Sequence, residues 1–248
     1  VANKTTNTFE LTDENSTSYT AWSSGGTASK TYQITTTYTS AELYDLQFTQ
    51  SADVMYIVHP DHPPAKLSRT AHTTWSLDDV DFTNGPYLDT NTTATTLTTS
   101  ATTVGTGRTL TASAITGINS GTGFQTTDVG RLVKLGDGWG EITARTNTTV
   151  VTWTIIVAAT GSGAAVWSLG AWSATTGYPR TVSFFEQRLV FGGSSSYPQT
   201  IWASESGLYE EFDVGDGSAA DAFIYTIAAN KVNVIRWLAP ARDLIVGT

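Results

Sequence analysis

The stretch Phe184-Phe-Glu-Gln-Arg-Leu-Val-Phe191 decides the reading of this chain, because its pattern returns elsewhere in the sequence. An aromatic-bearing strand leads through a short polar turn into an apolar strand, which is the signature of a β-hairpin. Phe48-Thr-Gln-Ser-Ala-Asp-Val-Met-Tyr-Ile57 repeats it around the Ser51-Ala52-Asp53 turn, and Ile235-Arg-Trp-Leu-Ala-Pro-Ala-Arg-Asp-Leu-Ile-Val246 repeats it again. The first two units continue alike. Each has a Pro-bearing loop (Pro60-Asp-His-Pro-Pro64; Ser194-Ser-Ser-Tyr-Pro198), then a third strand (Ala65–Arg69; Thr200–Ser204). Each closes on aromatic residues, at Trp75 and Phe82 in one and at Tyr209 and Phe212 in the other.

The spacing of the units sets the domain plan. Phe184 to Trp237 is 53 residues, close to one four-stranded propeller blade of about 40–50 residues. Phe48 to Phe184 is 136 residues, too long by about 80, so an insertion is expected between Tyr87 and Trp172–Pro179. Composition shifts there too: Thr90–Thr111 is a Thr/Ser/Ala/Gly tract whose one charge is Arg108. Residues of roughly 1–89 and 171–248 therefore read as a discontinuous propeller-like β domain, and roughly 90–170 as an inserted small β-barrel or sandwich. Within the insertion, strands are expected at Arg108–Ser113, Gly130–Leu135, Gly140–Arg145 and Thr149–Ile156, with Gly136-Asp-Gly-Trp-Gly140 as a hairpin turn. Phe124, Val129, Leu132, Trp139, Ile142 and Trp153 are its expected core.

Composition agrees with an all-β class. The 248 residues include 46 Thr, 22 Gly, 8 Trp and 10 Tyr, and only 14% are charged. β-branched and aromatic residues favour pleated, half-buried surfaces. Further strands are expected at Thr31–Thr35, Leu46–Gln50 and Val54–His59. Helical periodicity is confined to Thr39–Asp45, where Thr39 and Glu42 have capping-box spacing. The absence of Cys excludes disulfide scaffolds, Cys-zinc sites and thiol catalysis. A net charge of −9 argues against a tight phosphate binder. No apolar run approaches the roughly 20 residues of a membrane helix, and Val1 opens no signal-peptide pattern. A first residue other than Met, and a last strand at Leu244–Gly247 that runs into Thr248, lead us to expect a piece of a longer chain.

His59-Pro-Asp-His62, with His72 following, invites a zinc reading, but zinc needs further ligands and an element to aim them. A Pro-rich loop offers no helical spacing, so a surface turn is expected. Asp78, Asp79 and Asp81, and likewise Asp213, Asp216 and Asp221, cluster as calcium ligands would, yet the EF-hand spacing fails and solvated turns are expected. Glu186, Glu205, Glu210 and Asp53 are available for glycoside hydrolysis, and nothing in the sequence pairs them. No nucleophile elbow, P-loop or dinucleotide fingerprint is present. The expectation is no catalytic, cofactor-binding or metal residues, and no enzyme. Trp75, Trp202 and Trp237 fall at strand positions and read as core, whereas Trp22 and Trp172, beside Ser and Gly, read as exposed. Asn3, Asn15, Asn91 and Asn147 begin Asn-x-Ser/Thr triplets, which a Thr-rich chain produces readily.

Two resemblances follow from quoted strings. Ser204-Glu-Ser-Gly-Leu-Tyr-Glu-Glu-Phe212 resembles the Asp-box turn of sialidase-type propellers, a structural hairpin, with Ser206 where the acidic residue would stand. Gln50-Ser-Ala-Asp-Val-Met-Tyr-Ile-Val-His-Pro60, Pro64-Ala-Lys-Leu-Ser-Arg69, Asn84-Gly-Pro-Tyr87 and Asp128-Val-Gly-Arg-Leu132 belong to a second pattern. So do Gly177-Tyr-Pro-Arg180, Phe184-Phe-Glu-Gln-Arg-Leu-Val-Phe-Gly-Gly193 and Ile201-Trp-Ala-Ser204. Together they resemble the tail nozzle proteins (tail tubular protein B) of short-tailed bacteriophages and prophages. The resemblance implies a structural virion protein, made in the bacterial cytoplasm and located in the phage tail. It implies a β-propeller with inserted β domains and a ring, a hexamer in the family, of copies of the chain. It also implies tail adaptor and fibre partners, and DNA passing through during ejection without specific binding. The family's members are longer than this chain. The alternative is a carbohydrate-binding or glycan-cleaving propeller on a phage tail or bacterial surface, motivated by the Trp content and the Asp-box-like turn.

Overall fold

The structure is a computed structural model that describes residues 17, 18, 20 and 32–248. Its strands all lie within the compact unit Ile34–Thr248. The chain is all-β, with antiparallel sheets arranged as partial propeller-like blades and a curled six-stranded sheet between them in sequence.

The first blade is the four-stranded meander β1 (Gln47–Ser51), β2 (Val54–His59), β3 (His62–Ala71) and β4 (Thr74–Asp79). Two-residue turns fold it, since Ser51 pairs with Val54 and His59 with His62. The expected Pro60–Pro64 loop is therefore a tight Pro60–Asp61 turn followed by strand. Pro63 and Pro64 are tolerated there because the register slips between His59 and Ile57, a bulge that absorbs an extra residue.

The second blade repeats the meander with β11 (Thr181–Phe185), β12 (Arg188–Gly192), β13 (Thr200–Ala203) and β14 (Phe223–Thr226). Its first turn has Glu186 and Gln187 at φ 46° and 60°, the doubly positive pattern of a type I′ hairpin. A third unit contributes the hairpin of β15 (Trp237–Pro240) and β16 (Leu244–Gly247).

Side-chain alternation shows how these units stack. On β12, Leu189 and Phe191 face one cluster with Tyr56, Val58, Trp172, Trp202 and Phe212, while Val190 faces another with Ile201, Ala203 and Ile235. All five residues of β12 and all four of β13 are buried. A two-sheet sandwich would bury one face of each sheet. Burial of both faces places the second blade between the first blade and the third hairpin. The opening strands β1, β11 and β15 lie side by side, with β11 packed against both others. Each fully buried large side chain, such as Phe191 or Trp202, contributes about 2–3 kcal/mol from apolar transfer.

The curled sheet comprises β5 (Leu97–Thr99), β6 (Gly105–Ala112), β7 (Leu132–Leu135), β8 (Gly138–Arg145), β9 (Val150–Val157) and β10 (Trp167–Leu169), ordered β10-β7-β8-β9-β6-β5. Its two edges approach each other, because Leu97 on one bridges to Ala164, three residues before the other. The Trp167 indole also donates to the Thr95 carbonyl (2.8 Å). Inward residues such as Leu110, Ile142, Val151, Trp153 and Ile155 form a core of their own with Phe124. Thr109, Thr111, Thr152 and Thr154 stand between them along the strands, on the opposite face. Part of the Thr excess is thus the outer coat of a curled sheet, where a branched β-carbon suits the strand and the hydroxyl meets water.

Several expectations are corrected. Thr39–Asp45 forms turns and no helix: the Glu42 carboxylate does cap Thr39, but only Glu42 and Asp45 make backbone turn bonds. Of Thr31–Thr35, the described residues 32–35 form no strand. Val129 is 46% exposed rather than core.

Candidate functional site

Three regions bring together side chains with chemical potential. The first lies at the tip of the β2–β3 hairpin. Residues directly opposite in an antiparallel pair point to the same face, and the pairing of His59 with His62 puts their rings 5.1 Å apart. The turn segment 39–45 brings Glu42 to the same place. One Glu42 oxygen accepts from the Thr39 backbone N–H (2.7 Å) and hydroxyl (2.8 Å), and the other lies 2.9 Å from His62 Nε2. These bonds hold its carboxyl down at about pKa 2, the Thr39 backbone N–H contributing most. His59 is buried and its Nδ1 accepts the Asp61 N–H (3.2 Å). His72 is exposed and outside this group. In sequence, His59 and His62 read as a surface turn and Glu42 as part of a helix cap. The spacing Thr39–Glu42 is a cap signal, and only the tertiary fold shows that the second carboxylate oxygen is spare.

The second region is a cleft of about 490 Å³ between the first blade and the curled sheet, lined by Asp79, Asp81, Phe82, Trp139, Glu141, Trp172 and Tyr178 among others. Burial raises the Glu141 carboxyl, and the nearby Asp81 charge adds to the rise. Trp172 was expected at the surface; it is buried, edge-on to Phe82 (5.3 Å), Phe191 (5.1 Å) and Trp202 (5.5 Å). Its indole N–H has no hydrogen-bond partner among the described residues.

The third set is polar and joins sheets. Glu210, in the Asp-box-like segment, accepts from Lys66 Nζ (2.6 Å) and the Tyr56 hydroxyl (2.9 Å) on the first blade. Burial, then the Glu210 carboxylate, push the Tyr56 phenol well up. The segment itself makes a tight turn, with Glu205 bridged to Leu208 and Phe212 in the core. Asp213 is gripped by Lys134 Nζ (2.7 Å to each oxygen) and Asn84 Nδ2 (3.1 Å), while Asp221 accepts from the Gly217 and Ser218 N–H groups. Asp213 and Asp221 therefore have separate partners, and Asp216 is exposed. Asp128 and Arg131 form a fully buried ion pair at 3.0 Å, and Arg131 Nε donates to the Gly170 carbonyl (2.7 Å). Burial depresses the Arg131 guanidinium and Asp128 opposes that shift.

The remaining sequence candidates fall elsewhere. Glu186 lies in the type I′ turn, and Asp53 pairs loosely with Arg69 at 3.5 Å. Trp202 is core as expected. Trp75 and Trp237 are not: they are 37% and 48% exposed, Trp75 beneath the Arg69 guanidinium and Trp237 opposite Gly247 at an open edge. Asn91 is locked by three bonds from its amide to carbonyls, and Asn147 sits in an exposed turn. Trp22, Asn3 and Asn15 lie outside the described residues. Exposed apolar residues gather on the second and third units: Phe223, Ile224 and Tyr225 of β14, with Val232, Trp237 and Ile245. No protein-family model matches the chain, and no curated protein matches it.

Proposed function

We propose that this chain is a non-enzymatic structural component of a phage tail, a nozzle protein whose blades make assembly contacts and form part of the DNA ejection conduit. The observation that carries the reading is what the family-like strings do in the fold. Asn84 and Tyr87 bond each other beside Asp213, Asp128 pairs with Arg131, Tyr178 receives the Pro60 carbonyl on its N–H, and Trp202 fills the interblade core. The Asn84–Asp213, Tyr178–Pro60 and Trp202 contacts join segments far apart in the chain, as suits a rigid tube wall, and Asp128–Arg131 stiffens the entry to the curled sheet. The aromatic and aliphatic residues left open on β14 and the third hairpin suit further contacts with copies of the chain or with adaptor and fibre proteins. A net charge of −9 lets DNA slide without counterion-releasing grip. The test is light scattering and electron microscopy of the full-length protein with its tail adaptor. A ring is expected, and a monomer under those conditions refutes the reading.

A second reading rests on the cleft. A carboxyl raised by burial beside a second carboxylate, with aromatic walls, suits a glycan subsite. Specific binding of host polysaccharide fragments that disappears in Glu141→Gln and Asp81→Asn would favour it over the nozzle.

A further inference from the structure

We propose that Glu42, His59 and His62 form a binding site for one divalent transition-metal ion, zinc by donor chemistry, which pins the 39–45 segment to the first blade. One ligand atom from each of the three residues lies within 4.8 Å of the other two. Two imidazoles and a carboxylate are the borderline donors zinc prefers, and calcium and magnesium, which favour all-oxygen shells, are poorly served. Three protein ligands leave a fourth position for water.

The placement does not depend on flexible side chains meeting by chance. The hairpin register sets both histidines on one face, and the Tyr38 ring stands 5.2 Å from His62 and 6.4 Å from His59, walling the pair. Glu42 is steered by its Thr39 bonds, which use only Oε2 and leave Oε1 directed at His62. Tetrahedral zinc with bonds of about 2.0–2.1 Å separates its ligand atoms by roughly 3.4 Å. The 2.9 Å Glu42–His62 contact thus opens by about half an ångström as the ion displaces the shared proton. The site joins residues 17 and 20 positions apart in sequence, so an ion there ties the turn segment to the sheet.

The chain suits a direct test, because its three histidines and lack of cysteine leave few competing zinc ligands. The full chain would be stripped with EDTA, desalted after exposure to zinc chloride, and assayed by mass spectrometry of the metal. Cobalt substitution would report coordination through its visible absorption. One retained ion per chain is expected, with a melting temperature that rises with free zinc. Glu42→Gln keeps a hydrogen bond to His62 but removes the anionic ligand, and His62→Gln removes an imidazole from a partly exposed position. Each should weaken zinc binding at least about tenfold, as loss of even an outer-shell partner does. His72→Gln, remote from the site, should bind as the parent does. Absence of stoichiometric zinc from the folded parent overturns the proposal, as does retention unchanged in Glu42→Gln and His62→Gln.

Discussion

Replacing Asp128 with alanine removes the counter-charge of a guanidinium that is 1% exposed. Asp128 accepts from Arg131 Nη1 (3.0 Å), Asn119 Nδ2 (2.6 Å), the Gln125 N–H (2.8 Å) and the Ser173 hydroxyl (3.5 Å), so four donors lose a bond at once. Breaking a buried pair by deleting one partner costs about 3–5 kcal/mol, because the surviving charge stays out of water. For a chain of this length each kcal/mol lowers the melting temperature by about 2–4 °C, which gives a fall of roughly 6–20 °C. Arg131→Met should cost somewhat less, about 2–4 kcal/mol, since Asp128 keeps Asn119 and the Gln125 N–H. The double variant carries no orphaned charge, and should be about 2–3 kcal/mol better than the sum of the singles. Urea titrations followed by Trp fluorescence and far-UV dichroism would measure all three. A loss below about 1 kcal/mol in Asp128→Ala, or strict additivity in the double variant, would show that Arg131 does not depend on Asp128.

Three further outcomes are expected. Burial raises Glu141 and Glu211, so at pH 7 each ionised carboxylate costs stability. That cost is relieved as pH falls through the raised folded values and is gone below the unfolded value of 4.5. The melting temperature should therefore hold or rise between pH 7 and about 5, and Glu141→Gln should raise it at pH 7 and flatten the profile; a lowered value with an unchanged slope would contradict this. Glu210→Ala breaks an ion pair whose side chains are 28% and 24% exposed, worth about 1 kcal/mol after solvent screening, and leaves the buried Tyr56 hydroxyl without its acceptor, so a loss of about 1–3 kcal/mol is expected by urea titration. Gly177 has φ +77°, and an added Cβ would meet the Ser195 backbone nitrogen at 2.9 Å and side chain at 2.8 Å. Gly177→Ala should cost about 2–3 kcal/mol, and a neutral result would mean the Ser195 loop yields freely.

The hairpins were legible because their signals are local. Glu186-Gln187 between two apolar runs marks a two-residue turn, and alternation in Val150–Val157 marks a strand with one buried face. What escaped depends on contacts far along the chain. Trp172 stands beside Ser173 and reads as exposed, yet Phe82, Phe191 and Phe212 converge on it from both blades. Trp75 and Trp237 read as core because they alternate within strands, but they occupy outward or edge positions, Trp75 covered on one side by Arg69 and Trp237 lying against Gly247. His59-Pro-Asp-His62 reads as a loop because prolines usually break strands; the bulge that accommodates Pro63 and Pro64 is a property of the pairing with β2. Glu42 was legible as a cap for Thr39, and its second oxygen was not.

The polar fastenings and the exposed strands follow from one constraint. Blades stacked side by side bury large apolar faces, but apolar packing is non-directional and tolerates sliding of one sheet over its neighbour. Directional bonds fix the register that packing leaves free. Glu210 reaches from the second unit to Lys66 and Tyr56 on the first blade. Lys134 reaches from β7 to Asp213, and Arg131 reaches from the start of the curled sheet to Gly170 at the re-entry. The Glu210 and Lys134 links fall between sheets, and the Arg131 link closes the β7–β10 end of the curled sheet, so a perturbation of the first two should loosen the arrangement while leaving each meander intact. Hydrogen exchange on Glu210→Ala tests that distinction. Faster exchange confined to the 204–212 turn and its neighbours on the first blade is expected, with β12 and β13 still protected. Uniform acceleration through β12 and β13 would mean that Glu210 supports the blade itself and not its docking.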